Sequence, residues 1–367
     1  MKLVFKKLTL LALVATIAAL VMFDTGIAEA ATICVKPGGT SGCYATIQAA
    51  VNAAPSGSTI NVNDGVYVEQ VTITRNLTLN GSYLSTIKAP AAMTSNMPNN
   101  RRAVVAVNNA TVSLTKFVVD GNNSGNNNAG LVGIAFINAA GKITNSTVKN
   151  AGYGTLSGIQ EGLAIYARSD SGPVRSILIE NNDVFGYNKN GITVVGAGIS
   201  AQILNNRVTG AGPTPVLAQN GIQLSSGATG IIKTNTVKNH VYNGPYAASY
   251  SSSGILGYDT GAGVIYGSNG VSNSQLGVVA YGDSSKVEHN DIVGPTTNAA
   301  AFYGADISGK NNLVSENIFS KMEFGIYVEG DALNTKLVAN EFHSVKTWVA
   351  DFGVGTKIIR QTLQPVV

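Results

Sequence analysis

A six-residue motif with apolar residues at both ends and asparagine at its fourth position recurs through the second half of the chain. Its asparagines are Asn182, Asn206, Asn235, Asn269, Asn290, Asn317 and Asn340. A second motif, a glycine followed by alternating apolar residues, interleaves with the first and begins at Gly133, Gly162, Gly191, Gly221, Gly254, Gly277 and Gly325. Self-similarity at an irregular period of about 21 to 36 residues indicates a solenoid rather than one globular core.

The short runs within each repeat predict the type of solenoid. They are rich in Val, Ile and Tyr and are bounded by Gly, Asn and Ser, which is typical of strands and turns. Short strands that pair only with the next repeat form a parallel β-helix. Asparagine at one turn position can stack its side-chain amides along the coil, and it tolerates the left-handed backbone of a sharp turn. We therefore interpret the asparagine column as structural.

Residues 1–30 have the pattern of a signal peptide. Lys2, Lys6 and Lys7 precede an apolar run, and Ala28-Glu29-Ala30 forms a cleavage site. The apolar run is shorter than the roughly 20 residues of a membrane span, and we read no later membrane segment. Residues 31–367 are then one exported domain with 21 basic and 18 acidic residues, a balance too weak to favour nucleic acid.

The two cysteines, Cys34 and Cys43, lie shortly after the cleavage site. In an exported chain they predict one small disulfide loop, whereas a redox C-x-x-C spacing is absent. The next segment carries Ile47, Ala50 and Val51 on one face of a short helix. We expect this helix to cover the open end of the first coil.

The opening of the mature chain resembles a known superfamily. Thr46-Ile-Gln-Ala-Ala-Val51, Gly65-x-Tyr67-x-Glu69 and Leu77-Thr-Leu-x-Gly81 resemble the start of pectin-lyase-like right-handed β-helix proteins, and the second element is similar to one in pectin methylesterases. With the later repeats, the resemblance covers almost the whole mature chain. It implies an all-β, single-stranded right-handed parallel β-helix with a short N-terminal capping helix. The catalytic motifs of pectin methylesterases, polygalacturonases, pectate lyases and alginate epimerases are absent, so it implies no single activity.

Alternation along the glycine-led strands predicts which side chains face outward. The predicted carbohydrate-contacting residues are Tyr166, Arg168, Tyr258, Tyr281, Tyr303, Tyr327 and Glu329. Tyrosine offers a flat apolar surface with a hydroxyl at its rim, which suits a sugar ring.

Carboxylates on the same outward positions could accept sugar hydroxyls, bind Ca²⁺, or act as acid and base. Asp259, Asp283 and Asp306 are 24 and 23 residues apart, close to one turn each. We therefore predict them as the catalytic group of a hydrolase. A lyase would need a basic residue, and Arg168 is the only one that we place on this face.

Two functional hypotheses follow from the sequence. In the first, a secreted, periplasmic or cell-surface monomer engages a polysaccharide, with an acidic glycan favoured. If it is an enzyme, it is a hydrolase or lyase, and Ca²⁺ is the only cofactor considered. In the second, a noncatalytic extracellular protein of structural or adhesion type uses the coil as a rigid spacer. Substituting Tyr258 and Tyr281 would abolish sugar binding only under the first hypothesis.

Overall fold

The structure is a computed structural model that describes residues 29–245, 250–295 and 302–364. Apart from its last two residues, the predicted signal peptide lies outside the described residues. No helix in these described ranges is long and apolar enough to cross a membrane.

Nearly all regular structure in the described part of the chain is β. The strands, in chain order, are β1 (Thr32–Val35), β2 (Thr59–Val62), β3 (Gly65–Val68), β4 (Val71–Ile73), β5 (Leu77–Lys88), β6 (Arg102–Asn108), β7 (Thr111–Asp120), β8 (Leu131–Ile137), β9 (Ala140–Thr144), β10 (Thr147–Lys149), β11 (Leu163–Arg168), β12 (Arg175–Glu180), β13 (Asp183–Phe185), β14 (Asn190–Val195), β15 (Ile199–Leu204), β16 (Arg207–Thr214), β17 (Asn220–Ser225), β18 (Thr229–Lys233), β19 (Thr236–Tyr242), β20 (Ser253–Tyr258), β21 (Ile265–Gly267), β22 (Gly270–Ser274), β23 (Leu276–Tyr281), β24 (Lys286–Glu288), β25 (Asp291–Val293), β26 (Tyr303–Ser308), β27 (Leu313–Ser315), β28 (Ile318–Val328), β29 (Lys336–Val338), β30 (Glu341–Asp351), β31 (Lys357–Ile359) and β32 (Thr362–Gln364). One α-helix, α1 (Ile47–Ala53), and one 3₁₀ turn (Pro98–Asn100) complete the elements.

The named strands pair in parallel, each with the equivalent strand of the neighbouring turn. The pairings form three ladders that run along the coil. Face A contains β4, β6, β8, β11, β14, β17, β20, β23, β26 and the second halves of β28 and β30. The other two faces contain the remaining strands. This arrangement is a parallel β-helix, as the sequence motifs predict.

Rows of aligned apolar side chains fill the interior. On face A the inward residues Ile165, Ile192, Ile222, Ile255, Val278, Ala305 and Ile326 lie in one register and have no exposed surface. Each fully buried Ile or Val stabilises the fold by about 1.5–3 kcal/mol. The main core of the described residues is a continuous cluster from Val35 to Val345, and a second, smaller cluster includes Met97 and Tyr166.

The glycine that begins most of the face A runs packs closely against the next turn, although β6 has Val104 and β11 has Ala164 at the aligned position. A Cβ atom at Gly221 would lie 2.6 Å from the Gly254 carbonyl oxygen and 2.6 Å from Val237 Cγ1. A methyl group therefore has no room there, which explains why the second sequence motif keeps glycine.

The recurring asparagines form a buried amide ladder between neighbouring turns. Asn206 Nδ2 donates to Asn235 Oδ1 at 3.0 Å and to the Ile179 carbonyl at 2.8 Å. Its backbone N–H also donates to Asn235 Oδ1, at 2.9 Å. The ladder extends from Asn182 through Asn206, Asn235, Asn269, Asn290, Asn317 and Asn340 to Gln361.

The left-handed backbone falls one residue before each ladder asparagine. These preceding residues, whose φ lies between 52° and 58°, are Asn181, Asn205, Thr234, Ser268, His289, Glu316 and Ala339. The ladder asparagines themselves do not adopt it, so their tolerance of this conformation is not the reason that they recur. The preceding residue turns the chain, and the asparagine that follows directs its amide into the coil.

Replacing Asn269 with Ala is expected to destabilise the fold by about 2–4 kcal/mol. The substitution removes the acceptor of two Asn235 N–H groups and the donor to Ile232 O and Asn290 Oδ1, all of them buried. Urea unfolding of the variant and of wild type measures the loss. Asn61→Ala is the control, because Asn61 is exposed and its Oδ1 accepts one surface bond from Asn80. Equal losses in both variants would contradict a stabilising role for the ladder.

The N-terminal turn contains a disulfide and α1. Cys34 and Cys43 are bonded, so the predicted disulfide is confirmed. Thr46 caps α1 by accepting the Ala49 N–H, and the Glu69 carboxylate accepts the N–H groups of Ile47 and Gln48 at 2.8 and 2.9 Å. The glutamate of the resembling Gly-x-Tyr-x-Glu element therefore binds the first turn of the helix.

Candidate functional site

Face A places most of the predicted site residues on one outward surface. Tyr258 lies in register with Tyr281 of the next turn, and their ring centroids are 6.0 Å apart. Asp306 lies in β26, the strand that pairs with β23, and is aligned with Tyr327 of the following turn. Tyr258 and Tyr281 therefore lie on one face, as a common sugar-contacting surface requires.

An aromatic cluster, formed by Tyr303, Phe324, Tyr327 and Phe352, lies at the C-terminal end of this surface. The rings of Tyr303 and Tyr327 are parallel with centroids 4.8 Å apart, and Phe324 contacts Tyr303 edge-on. Phe352 extends the cluster from Tyr327 at 5.3 Å. Burial, with the charges of nearby groups, raises the pKa of both tyrosines, so their hydroxyls stay protonated. The cluster is a broad apolar surface with hydroxyls at its rim.

An acidic cluster, formed by Tyr281, Asp306 and Glu329, lies beside the aromatic cluster. The Tyr281 hydroxyl oxygen is 3.0 Å from Asp306 Oδ2 and 3.2 Å from Glu329 Oε1. These two contacts hold the two carboxylate oxygens within about 6 Å of each other.

Asp306 is the most perturbed carboxyl group of the acidic cluster. Its side chain is only 4% exposed, and its Oδ1 has no hydrogen-bond partner in the described residues. Burial raises the pKa of Asp306 to about 7, and the charge of Glu329 adds to this effect. Near neutral pH this carboxyl therefore holds a proton for much of the time.

The contacts of the acidic cluster agree with a proton on Asp306. A tyrosine hydroxyl has one hydrogen to donate, so it cannot donate to Asp306 and Glu329 at once. Protonated Asp306 resolves the conflict, because it donates to the Tyr281 oxygen while Tyr281 donates to Glu329. A chain of two hydrogen bonds then links a buried proton to the half-buried Glu329.

The structure does not bring the three predicted aspartates together. Asp259 is exposed in the turn after β20, with φ of 53°, and Asp283 is exposed in the turn after β23, where Oδ1 accepts the Lys310 N–H. Asp306 is instead aligned with Val279, four residues before Asp283. Four residues of strand span about 13 Å, so Asp259 and Asp283 are turn residues away from the acidic cluster.

Tyr166 and Arg168 lie on face A but far from the two clusters. Tyr166 shares the register of Asp306 five turns away, at a spacing of about 24 Å along the coil. It is 6% exposed, packs with Met97, and has the Arg101 guanidinium 5.2 Å from its ring centroid. Arg168 is paired with Asp170 at 2.8 Å.

Sequence reasoning missed several residues of this surface. Phe324 and Phe352 join the aromatic cluster, and the Ser308 hydroxyl oxygen lies 2.9 Å from each carboxylate oxygen of exposed Asp331 and donates to that carboxylate. Phe324 directly precedes the motif glycine Gly325, so the sequence motif could have predicted that Phe324 lies at the start of a face A strand. Among the described residues, no group of three or more His, Cys, Asp and Glu side chains is placed to hold a metal ion.

Comparison with known proteins identifies the fold. No family model and no curated protein matches the sequence. A solved structure of a double mutant of the periplasmic alginate epimerase AlgG is similar, with a TM-score of 0.54, 14% identity, and coverage of 84% of this chain and 77% of that one. The chain has the parallel β-helix fold.

Two other similar solved structures belong to proteins with different roles. The GH136 lacto-N-biosidase from Eubacterium ramulus has a TM-score of 0.52 and 10% identity, over 91% of this chain and 68% of that one. PfbA, a surface adhesin of Streptococcus pneumoniae, has a TM-score of 0.52 and 14% identity, over 83% and 86%. At these identities the likeness concerns the fold alone, and the activity must be argued from the site.

Proposed function

We propose that the protein is an exported glycan-binding protein that holds a polysaccharide along face A and hydrolyses it at the acidic cluster. One observation carries the proposal. The Tyr281 hydroxyl joins the buried Asp306 carboxyl to the half-buried Glu329 carboxyl, directly beside stacked tyrosines.

The charges near the acidic cluster favour a neutral sugar at this position. The carboxyl groups of Glu329 and Asp331 lie on or at the edge of this surface. A uronate carboxylate here would be repelled by these groups. The proposal therefore departs, at this position, from the acidic glycan that the sequence analysis favoured.

The mechanism assigns separate roles to the carboxyl groups. Asp306 passes its proton through Tyr281 to Glu329, and Glu329 delivers that proton to the glycosidic oxygen as the bond from this oxygen to the anomeric carbon breaks. A proton from solvent then returns to Asp306. Asp331, which is exposed and oriented by Ser308, is the second carboxylate, which activates the attacking water. Tyr303 and Tyr327 hold the neighbouring sugar ring against their faces.

Several features support export and a rigid extended coil. The chain carries a disulfide, and two of its structural neighbours are described as periplasmic and as a surface adhesin. We further propose a right-handed, monomeric coil whose α1 covers the N-terminal end, since α1 buries Ile47, Ala50 and Val51.

The alternative function is noncatalytic binding of adhesion type. It is favoured by the burial of Asp306, because a carboxyl that is 4% exposed also fits a polar support beneath the tyrosines. Under this alternative the glycan binds to the aromatic cluster and is not cleaved.

Native electrophoresis through gels that contain xylan, pectin, polygalacturonate, alginate or chondroitin separates the two functions. Retardation with a cleared zone after glycan staining is the expected result. Retardation without clearing would support the adhesion-type function instead. Free migration through all five gels would contradict glycan binding.

The double substitution Tyr303→Ala and Tyr327→Ala is expected to weaken glycan binding at least tenfold, since it removes the two parallel rings. Affinity electrophoresis at graded glycan concentrations measures the dissociation constant. Tyr83→Ala is the control, because Tyr83 is 56% exposed in β5, in the N-terminal turns. Unchanged retardation of the double variant would exclude the aromatic cluster as the binding surface.

A further inference from the structure

A cavity of about 420 Å³ opens beside face A, near the beginnings of β14 and β17. Its lining includes Gln160, Lys189, Leu217, Ala218 and Tyr242. Leu217 and Tyr242 are buried and form firm walls, at 2% and 6% exposure. Lys189 supplies the cationic group of the lining.

The Lys189 ammonium has no acidic partner. None of the ion pairs among the described residues includes it. Nζ donates to the Ala218 carbonyl at 2.5 Å, which uses one of its three N–H groups. Burial lowers the pKa of Lys189, because a partly buried ammonium without a counter-charge is costly.

Glu161, which follows Gln160 in the chain, does not neutralise this lysine. Its carboxylate accepts the Gly130 N–H at 2.6 Å and contacts the Tyr153 hydroxyl at 3.4 Å. The Lys189 backbone N–H is bonded to the Gly162 carbonyl, which fixes the residue at the cavity wall. The cavity thus presents an uncompensated positive charge in a fixed place.

We propose that this cavity is an anion subsite in which the Lys189 ammonium binds the carboxylate of an acidic sugar unit. An anion here would offset the desolvation of the ammonium and would accept its two remaining N–H groups. A single ammonium with apolar and tyrosine walls matches a singly charged carboxylate on a sugar ring. The assignment of the anion to a sugar rests on the proposed glycan function.

The position of the subsite defines the substrate further. β14 and β26 are four turns apart, about 19 Å along the coil. The glycan that fits both places carries an acidic unit at Lys189 and a neutral unit several sugars away at the acidic cluster. This is a mixed polysaccharide rather than a uniform polyuronate.

Calorimetric titration with glucuronate, glucose and inorganic phosphate tests the subsite. We expect saturable glucuronate binding to wild type, at least tenfold weaker binding to Lys189→Gln, and recovery in Lys189→Arg. Glucose and phosphate should bind at least tenfold more weakly than glucuronate. Lys346→Gln, at an exposed lysine, is the control and should match wild type.

Two results would overturn the proposal. Equal glucuronate affinity of wild type and Lys189→Gln would exclude Lys189 as the ligand group, and phosphate binding as tight as glucuronate would exclude an acidic-sugar subsite. The combined Asp306→Asn and Glu329→Gln variant should bind glucuronate normally. Loss of cleavage in this double variant and loss of glucuronate binding in Lys189→Gln are therefore separate outcomes. Thermal unfolding shows whether each variant is folded.

Discussion

Replacing Glu329 with Gln is expected to lower the rate of glycan hydrolysis by about 10²–10⁴-fold, the usual contribution of a general acid. Glutamine keeps the size of the side chain and can still accept the Tyr281 hydrogen bond, but it cannot deliver a proton. Glycan binding should therefore be retained. The rate of release of reducing ends from the glycan cleared in the gel assay, with the affinity measured in parallel, gives both quantities.

Asp283→Asn is the matched control for this prediction. Asp283 lies at the edge of the same face but is aligned away from the acidic cluster, and asparagine can still accept the Lys310 N–H. We expect near wild-type hydrolysis in this variant. If Asp283→Asn lost as much activity as Glu329→Gln, the original prediction from the spacing of the three aspartates would be preferred over the acidic cluster.

The pH dependence of stability is expected to change strongly when Asp306 is replaced with Asn. The folded-state pKa of Asp306 is raised to about 7 from an ordinary value of 3.8. Between these values the folded state binds more protons than the unfolded state, so stability falls as pH rises from about 4 through 7. The loss attributable to this group is at most about 4 kcal/mol, at about 1.4 kcal/mol per pKa unit.

The Asp306→Asn variant should lack this part of the pH dependence. It should be more stable than wild type at pH 8 and close to wild type at pH 4. Urea unfolding of both proteins at several pH values between 4 and 8 measures the difference, and Asp283→Asn should follow the wild-type curve. Parallel curves for wild type and Asp306→Asn would show that Asp306 is ionised in the fold at an ordinary pKa.

These two predictions examine different properties of one hydrogen-bonded chain. The stability curve reports whether Asp306 holds a proton, and the rate reports whether Glu329 uses one. A protonated Asp306 combined with no hydrolysis by any variant would favour the adhesion-type function. In that case the acidic cluster supports Tyr281 beneath a binding surface.

The sequence alone was sufficient to predict the class of fold and the rows of residues that recur from turn to turn. The repeat of Asn206, Asn235 and Asn269 predicts stacked turns, because a buried amide can satisfy its neighbour only when the same position recurs. Gly221 predicts the corner of face A, since a Cβ atom there would lie 2.6 Å from the Gly254 carbonyl oxygen of the next turn. Local rules of this kind act within a few residues and repeat along the chain, so they can be read from the pattern.

The tertiary structure alone decided which outward residues meet. Asp259, Asp283 and Asp306 are spaced by nearly one turn, but Asp306 lies inside a strand whereas the other two lie in turns. Spacing along the chain does not fix register, because the lengths of the connecting loops set where each strand begins. Tyr166 also faces outward as predicted, yet the segment that includes Met97 and Arg101 covers it. The burial of Tyr166 by this segment and the register of the strands both depend on contacts between residues distant in sequence, which no local pattern contains.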